Sequence, residues 1–403
     1  MIPITSIPIS FSDLSPLFLP ADSGSADRLR TKMKDKFGVG ESIFTDSGRT
    51  ALKLCLSFLK HRSNRVALPA YTCPVLYEVI LDAGFEPVPI DVEYETMELN
   101  EQNLQNESLS GLDAVIVVHL FGDPVSVKRT RNLIQEIPII EDCAQGIGAL
   151  KDSKPVGGDG DFSIFSFGFG KTITGGIGGA LSINKGGLLE NVKKARDLVD
   201  PADRSQRFRS LFWLTGMKFG SFSPLYSIAY PILKSKNRNE DARSAQRILS
   251  RAPSIGASRA LSSCLCNVVV SQLEKLDSIV SQRRRNARLL LNSLRGAKIR
   301  FELSEQSQNF EGTYTRFVVR VNSKTRVKLE KAFLNNGIEV ESPYKTVLEK
   351  MHGSKGKFPG AERLISDSLS LPVHNRMSED KIQKLVMVAK NTTGDLETDG
   401  PAS

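Results

Sequence analysis

Between Thr45 and Asn184, short runs rich in β-branched residues alternate with helical stretches, and this alternation restricts the fold more than any other feature of the chain. A strand, a crossover helix and a second strand build parallel sheet, because the helix must lie on one face and bring the chain back to the same end. Strands are predicted near Arg65 to Leu68, Pro87 to Ile90, Asp113 to Val118, Pro138 to Glu141, Asp161 to Ser166 and Gly179 to Ile183. Helices are predicted at Thr50 to Lys60, Cys73 to Ala83 and Val125 to Glu136. In open sheets of this kind ligands bind at the carboxyl ends of the strands, so the residues just after each strand are the ones to search for chemistry.

The 403 residues suffice for two or three domains, and 40% hydrophobic with 25% charged residues is ordinary for a folded chain. No run reaches the 18 or so apolar residues of a membrane span. The first twenty residues are apolar, but Pro3, Pro8, Pro16 and Pro20 break them and no early basic residue precedes them, so they read as an extended arm and not a secretory signal. Five cysteines without a C-x-x-C pair and four scattered histidines predict a reducing cytoplasm and no structural metal. The net charge of +9 suits nucleic acid, an anionic membrane surface or a phosphorylated small molecule, and does not choose among them.

Pattern changes divide the chain further. Residues 1–30 are predicted to form the arm and 31–259 a large domain, with an aromatic and basic insertion at about 205–250. Residues 260–298 read as one long connecting helix, 299–390 as a small α/β domain and 391–403 as a disordered polar tail. Within the small domain a strand is expected at Thr313 to Val321 and helices at Ser323 to Asn335 and Ser378 to Ala389.

Four features fall at strand ends. In TDSGRTAL, Ser47, Gly48, Arg49 and Thr50 open a helix, whose unpaired N–H groups and partial positive charge suit a phosphate; a plain capping serine is the competing role. In PIIEDCAQGIGA, Asp142 ends an apolar strand and Gln145 follows; a carboxylate there can pair with a protonated ring nitrogen or merely shape a turn. The strand DFSIFSFGFG ends at Ser166 and leads to Lys171, and the glycines of TGGIGGA let the backbone approach a bound group. A lysine among apolar and glycine residues can lose solvation, which lowers its pKa and frees a nucleophilic amine. The G-K-T at Gly170 to Thr172 is not a P-loop, since Phe165 stands where that motif requires its first glycine.

Taken together, SGRTAL, LPAYTCP, VVHLFGDP, IIEDCAQGIGA, GDFSIFSFGFGKTITGGIGGAL, QLEKLD, GIEVESPY and LSLPVH are similar in order and spacing to the DegT-type nucleotide-sugar aminotransferases, a branch of the fold-type-I pyridoxal-phosphate enzymes. The resemblance runs from about Phe44 to Ala389. It implies an aspartate-aminotransferase-like α/β fold, with a mostly parallel seven-stranded sheet flanked by helices and a smaller C-terminal α/β domain. It also implies that Lys171 bonds covalently to pyridoxal 5'-phosphate and shuttles a proton, and that Asp142 pairs with the pyridinium nitrogen. Gln145 is implied near the ring, Ser47, Gly48, Arg49 and Ser166 at the phosphate, Cys73 at the ring face, and Tyr344 near the substrate. The implied partners are an amino-acid donor, commonly glutamate, a nucleotide-linked keto-sugar acceptor and a second copy of the chain, in the cytoplasm and without nucleic acid. A keto cyclitol as acceptor, and a noncatalytic binding protein on the same fold, are the alternatives. The aromatic and basic stretch 207–233 is a candidate for weak contact with a membrane surface, or for a flap or dimer contact.

Overall fold

The computed structural model describes residues 1–6, 8–20, 22–59, 62–107, 109–185, 192, 196–202, 205–220, 259–296, 301–309, 311–344 and 358–394. Seven strands make one sheet: β1 Glu41–Thr45, β2 Arg65–Pro69, β3 Glu86–Ile90, β4 Ala114–Val118, β5 Ile139–Asp142, β6 Phe162–Ser166 and β7 Gly179–Ile183. Their order across the sheet is β1-β7-β6-β5-β4-β2-β3. From β3 to β6 every neighbouring pair is parallel, while β7 runs antiparallel to both β6 and β1. The carboxyl ends of β1, β2, β4, β5 and β6 therefore share one edge of the sheet.

The sheet is covered on both faces, which explains why β4 reads as the unbroken apolar run AVIVV and is buried at every position. Its residues alternate between two cores: Ile116 and Val118 pack with Leu52, Leu68 and Ile140, whereas Val115 and Val117 pack with Ile90, Leu104 and Ile139. Strand β1 was not expected from the sequence. It is five residues long and carries a serine on a buried face, where Ser42 and Ser182 of β7 join their hydroxyls at 2.7 Å. A polar residue at a core position weakens the period-two signal that strand reading depends on.

The arm is more ordered than an extended strap. It contains a 3-10 helix at Ser12–Phe18, and an α-helix at Ser25–Phe37 crosses the boundary expected at residue 30. Ile2 N–H donates to Gly337 at 2.7 Å and Glu339 N–H donates to Ile2 at 2.8 Å, which puts Ile2 into the core around Phe333 and Ile338. Further along, the buried Asp13 takes bonds from Ser10 N–H at 2.7 Å, Ser271 Oγ at 2.6 Å and Lys275 Nζ at 2.6 Å. Burial opposes the charge on Asp13, but these donors outweigh it and hold the carboxyl below its ordinary range.

Instead of one connecting helix, the structure has two, Ser263–Glu274 and Leu276–Gly296. The break is at Lys275, whose N–H reaches back only three residues to Gln272 at 3.1 Å, so the last turn tightens as its side chain turns to Asp13. Beyond it, β8 Phe317–Arg320 and β9 Ser368–Leu371 pair antiparallel beneath helices Ser323–Asn335 and Glu379–Gly394, the latter running past residue 390. Of the insertion at 205–250, Ser205–Gly220 is an α-helix and 221–250 lies outside the described residues. So does 395–403 of the expected tail.

Candidate active site

Four segments meet at the shared edge of the sheet. After β1, Ser47 caps the helix Gly48–Leu56: its Oγ accepts from Thr50 N–H at 3.2 Å, and Thr50 Oγ1 donates to Asp46 at 2.6 Å. The capping role foreseen as the competitor is thus real, and it leaves the first turn, Gly48 and Arg49, facing β6. A side chain at Gly48 would stand 3.1 Å from Ser166 Cβ, so this turn lies directly against Ser166. After β2, Cys73 precedes Pro74 at the start of the helix Pro74–Asp82; the ring at the first helical position needs no N–H there.

At the end of β5, Asp142 is only 7% exposed. Burial pushes its carboxyl above the ordinary value, opposed by the Ala144 N–H at 2.8 Å and by the positive charge of Lys171. Lys171 follows β6 in a loop that closes on itself. Phe167 O accepts from Gly175 N–H at 2.9 Å and from Thr174 Oγ1 at 3.0 Å, and Gly168 bridges to Gly176. Lys171 is half-buried, and burial drives its amine below the usual lysine range. Cys73 and Asp142 oppose that fall, whereas the cations Arg316 and Arg49 add to it.

The glycines after Lys171 are set by packing within the chain. Gly176 and Gly178 have φ of 85° and 125°, conformations that side chains resist, and a Cβ on either would press on Leu214 or Leu261 at 3.1 Å. At Gly179 an added Cβ would lie 2.4 Å from Gly48 N, so this residue sets how closely β7 carries the Ser47–Gly48 turn.

Gln145 spans the site. Its Oε1 accepts from Phe121 N–H at 3.1 Å and its Nε2 donates to Tyr344 Oη at 2.8 Å. The Tyr344 ring stacks on Phe121 with centroids 5.5 Å apart and 17° between planes, and Tyr71 meets both edge-on. Phe121 and Tyr344 both hold positive φ, 61° and 57°, and such backbone strain in non-glycine residues gathers at functional sites.

Behind Asp142 lies a network that the sequence reading missed. His119 accepts Val125 N–H on Nδ1 at 3.1 Å, so Nε2 carries the proton and donates it to Glu141 at 2.9 Å. Glu141 also accepts N–H bonds from Gly157 at 2.6 Å, Asp159 at 3.1 Å and Gly160 at 2.8 Å. Burial works against its charge, yet His119 and these amides outweigh it and hold the carboxyl below its ordinary range. The trio His119, Glu141 and Cys143 lies close enough to hold a metal, but the imidazole and carboxylate already have partners within the protein. His119 directly follows β4, so the strand-end rule that found Asp142 extends to it. Arg316, another residue missed, pairs with Glu341 at 3.3 Å and reaches the site from the chain's C-terminal part.

The cluster therefore joins a weakened lysine base, a buried carboxylate, a helix N-terminus beside a serine, and a stack of aromatic rings. A family model described as the DegT/DnrJ/EryC1/StrS aminotransferase family matches residues 23–389. The chain belongs to this family. Aminotransferases of the DegT family depend on pyridoxal phosphate, and the cluster fits that group: the Asp142 carboxylate, which takes one bond from Ala144 N–H, can accept from a ring nitrogen, and the Gly48 turn with Ser166 offers donors to a phosphate.

Among curated relatives, GDP-perosamine synthase of Vibrio cholerae is 29% identical over 174 residues, 42% of this chain and 47% of that enzyme. The matched part is thus about half of that relative's length. UDP-N-acetyl-3-dehydro-alpha-D-glucosamine 3-aminotransferase of Acidithiobacillus ferrooxidans is 24% identical over 380 residues, 93% of this chain and 90% of that one. The fold matches PseC of Helicobacter pylori, an aminotransferase of pseudoaminic acid biosynthesis, with a TM-score of 0.76 at 17% identity over 98% of this chain and 99% of PseC.

Proposed function

We propose that this DegT-family chain moves an amino group from an amino acid, glutamate, to a nucleotide-linked keto sugar destined for a polysaccharide or glycoconjugate. The observation that carries the reading is the meeting of a lysine amine weakened by burial with a buried aspartate at the ends of adjacent parallel strands β5 and β6. Two full-length or near full-length likenesses to sugar-modifying aminotransferases, one in sequence and one in fold, support it.

When bound, pyridoxal phosphate supplies an aldehyde and a cationic ring able to accept electrons from a substrate carbon. Lys171 provides the amine: lowered below its usual range, it spends more time unprotonated, so it can attack a carbonyl and later carry a proton between two carbons. Asp142 would accept a hydrogen bond from the ring nitrogen and keep it protonated. Ser47, Gly48, Arg49 and Ser166 would hold the phosphate, the amides of the helix start and the guanidinium meeting its charge. Cys73 would lie against the ring face. Gln145 orients Tyr344, whose hydroxyl accepts from Gln145 and keeps its own proton to donate to substrate. The same reading has the enzyme act as a cytoplasmic homodimer, its basic charge suiting a nucleotide diphosphate.

Mass spectrometry after borohydride reduction tests this. Protein loaded with pyridoxal phosphate should carry the reduced adduct on the peptide containing Lys171, and glutamate added before reduction should prevent it. An adduct on another lysine, or none in the wild type, rejects the assignment. A panel of nucleotide keto sugars, each tested with glutamate, then identifies the acceptor.

A further inference from the structure

The helix Ser205–Gly220 is turned inside out. Its polar residues Gln206 and Ser210, with Leu214, are almost wholly buried, whereas Phe208 and Phe212 are 70% and 71% exposed. The inward face is fixed by hydrogen bonds: Gln206 Nε2 donates to Ala260 at 2.8 Å and its Oε1 accepts from Ser262 N–H at 3.0 Å. The outward aromatics one turn apart are therefore not a matter of helix rotation. Arg207 donates to the carbonyl of Leu17, which brings the helix beside Phe18 and Leu19, themselves 66% and 55% exposed. Four large apolar side chains on two adjoining segments are more than a soluble surface usually shows without a use.

Charge decides the partner. The helix carries Arg207, Arg209 and Lys218, and no aspartate or glutamate occurs anywhere from 205 to 239. A symmetric contact through this patch would set Arg207 and Arg209, both partly exposed, against their own copies with no acid in the segment to offset them. A bilayer with acidic headgroups supplies the missing negative charge and takes aromatic side chains at its interface, the combination that defines an in-plane amphipathic helix. We propose that the outward face of Ser205–Gly220, with Phe18 and Leu19, seats the protein on an anionic lipid bilayer. The inner face of the same helix packs on Gly176, in the loop that carries Lys171, so the seat lies close to the proposed catalytic centre.

Co-sedimentation of the full chain with vesicles of phosphatidylcholine, alone or mixed with phosphatidylglycerol, tests this. Trp213, the chain's single tryptophan, lies in the helix and reports its surroundings by fluorescence. The expected result is pelleting with the anionic vesicles only, reversed by salt, with a blue shift of the emission. Phe208→Ser with Phe212→Ser should weaken binding about tenfold or more, since two aromatic rings no longer enter the interface. Phe208→Trp with Phe212→Trp should retain it. Equal pelleting on both vesicle types, no pelleting, or serine-variant binding equal to wild type overturns the proposal. So does a serine variant that sediments as a monomer where the wild type is a dimer, which would make the face a contact between copies. The borohydride adduct on Lys171, measured on the same preparations, reports the catalytic reading separately.

Discussion

Gln145 and Tyr344, 199 positions apart in the chain, are joined by a 2.8 Å hydrogen bond from amide to phenol. The bond ties the turn after β5 to the segment that follows β9's neighbour Glu341, and it fixes the Tyr344 ring over Phe121. A double-mutant cycle of Gln145→Met and Tyr344→Phe, followed by urea unfolding, should give a coupling of about 1 kcal/mol. Additive effects would mean that the bond contributes nothing of its own.

Asp142→Asn keeps the shape of the buried residue and removes its charge. With no carboxylate facing the ring nitrogen, kcat should fall about 100-fold or more, while the Lys171 adduct still forms. Steady-state kinetics beside the adduct assay checks this, and an unchanged kcat would remove Asp142 from the chemistry.

Gly179→Ala places a methyl group where Gly48 N and the Ser47 carbonyl carbon lie 2.4 Å away. Backbone must move, at a cost of about 1–3 kcal/mol. Because the displaced turn is the proposed phosphate holder, the affinity for pyridoxal phosphate should fall along with the melting temperature, which equilibrium dialysis and calorimetry measure together. Lost stability with intact affinity would separate this turn from the cofactor.

Glu141→Gln should cost about 3–5 kcal/mol at neutral pH, since it removes a buried charge that accepts three amides and His119. The folded carboxyl titrates below its unfolded value, so its contribution is complete above the unfolded pKa near 4.5 and disappears as pH falls through the lower folded value. Chemical denaturation of wild type and variant from pH 7 to pH 3 should show the two curves converging at the acid end.

His374 is buried, donates from Nε2 to Pro3 at 3.0 Å and accepts Arg376 N–H on Nδ1 at 3.2 Å. Burial, then the cations Arg283, Lys381 and Arg376, push its pKa down to about 3, while the Pro3 carbonyl opposes them. The unfolded chain therefore binds a proton at about pH 6.5 that the folded chain refuses, and stability falls as pH drops from there toward 3. Between pH 7 and 5 the loss from this one group is about 2 kcal/mol. His374→Asn should lower stability at pH 7 but flatten that slope; a parallel slope would place the acid sensitivity elsewhere.

Much of the site was legible because it obeys a positional rule. Asp142 and Ser166 end strands, Lys171 and the Ser47–Arg49 turn follow them, and the strands announce themselves by apolar runs such as AVIVV. What stayed hidden depends on contacts between distant segments. Strand β1 hides a serine in a core that only Ser182 makes acceptable, and the helix break at Lys275 answers to Asp13, more than 250 residues earlier. Arg316 and the Phe121–Tyr344 stack come together only when the C-terminal part folds onto the sheet edge. The glycines after Lys171 are legible by composition, but not the φ angles and neighbours that fit them to Leu214, Leu261 and the Ser47 turn.

The opening residues grip three separate places: Ile2 at Gly337 and Glu339, Asp13 at Ser271 and Lys275, and Leu17 at Arg207. A tether with three knots lets no one part swing without tugging the others. Trimming the leading residues to ease crystallisation would therefore loosen the C-terminal half first, a practical warning to anyone shortening this polypeptide at its front.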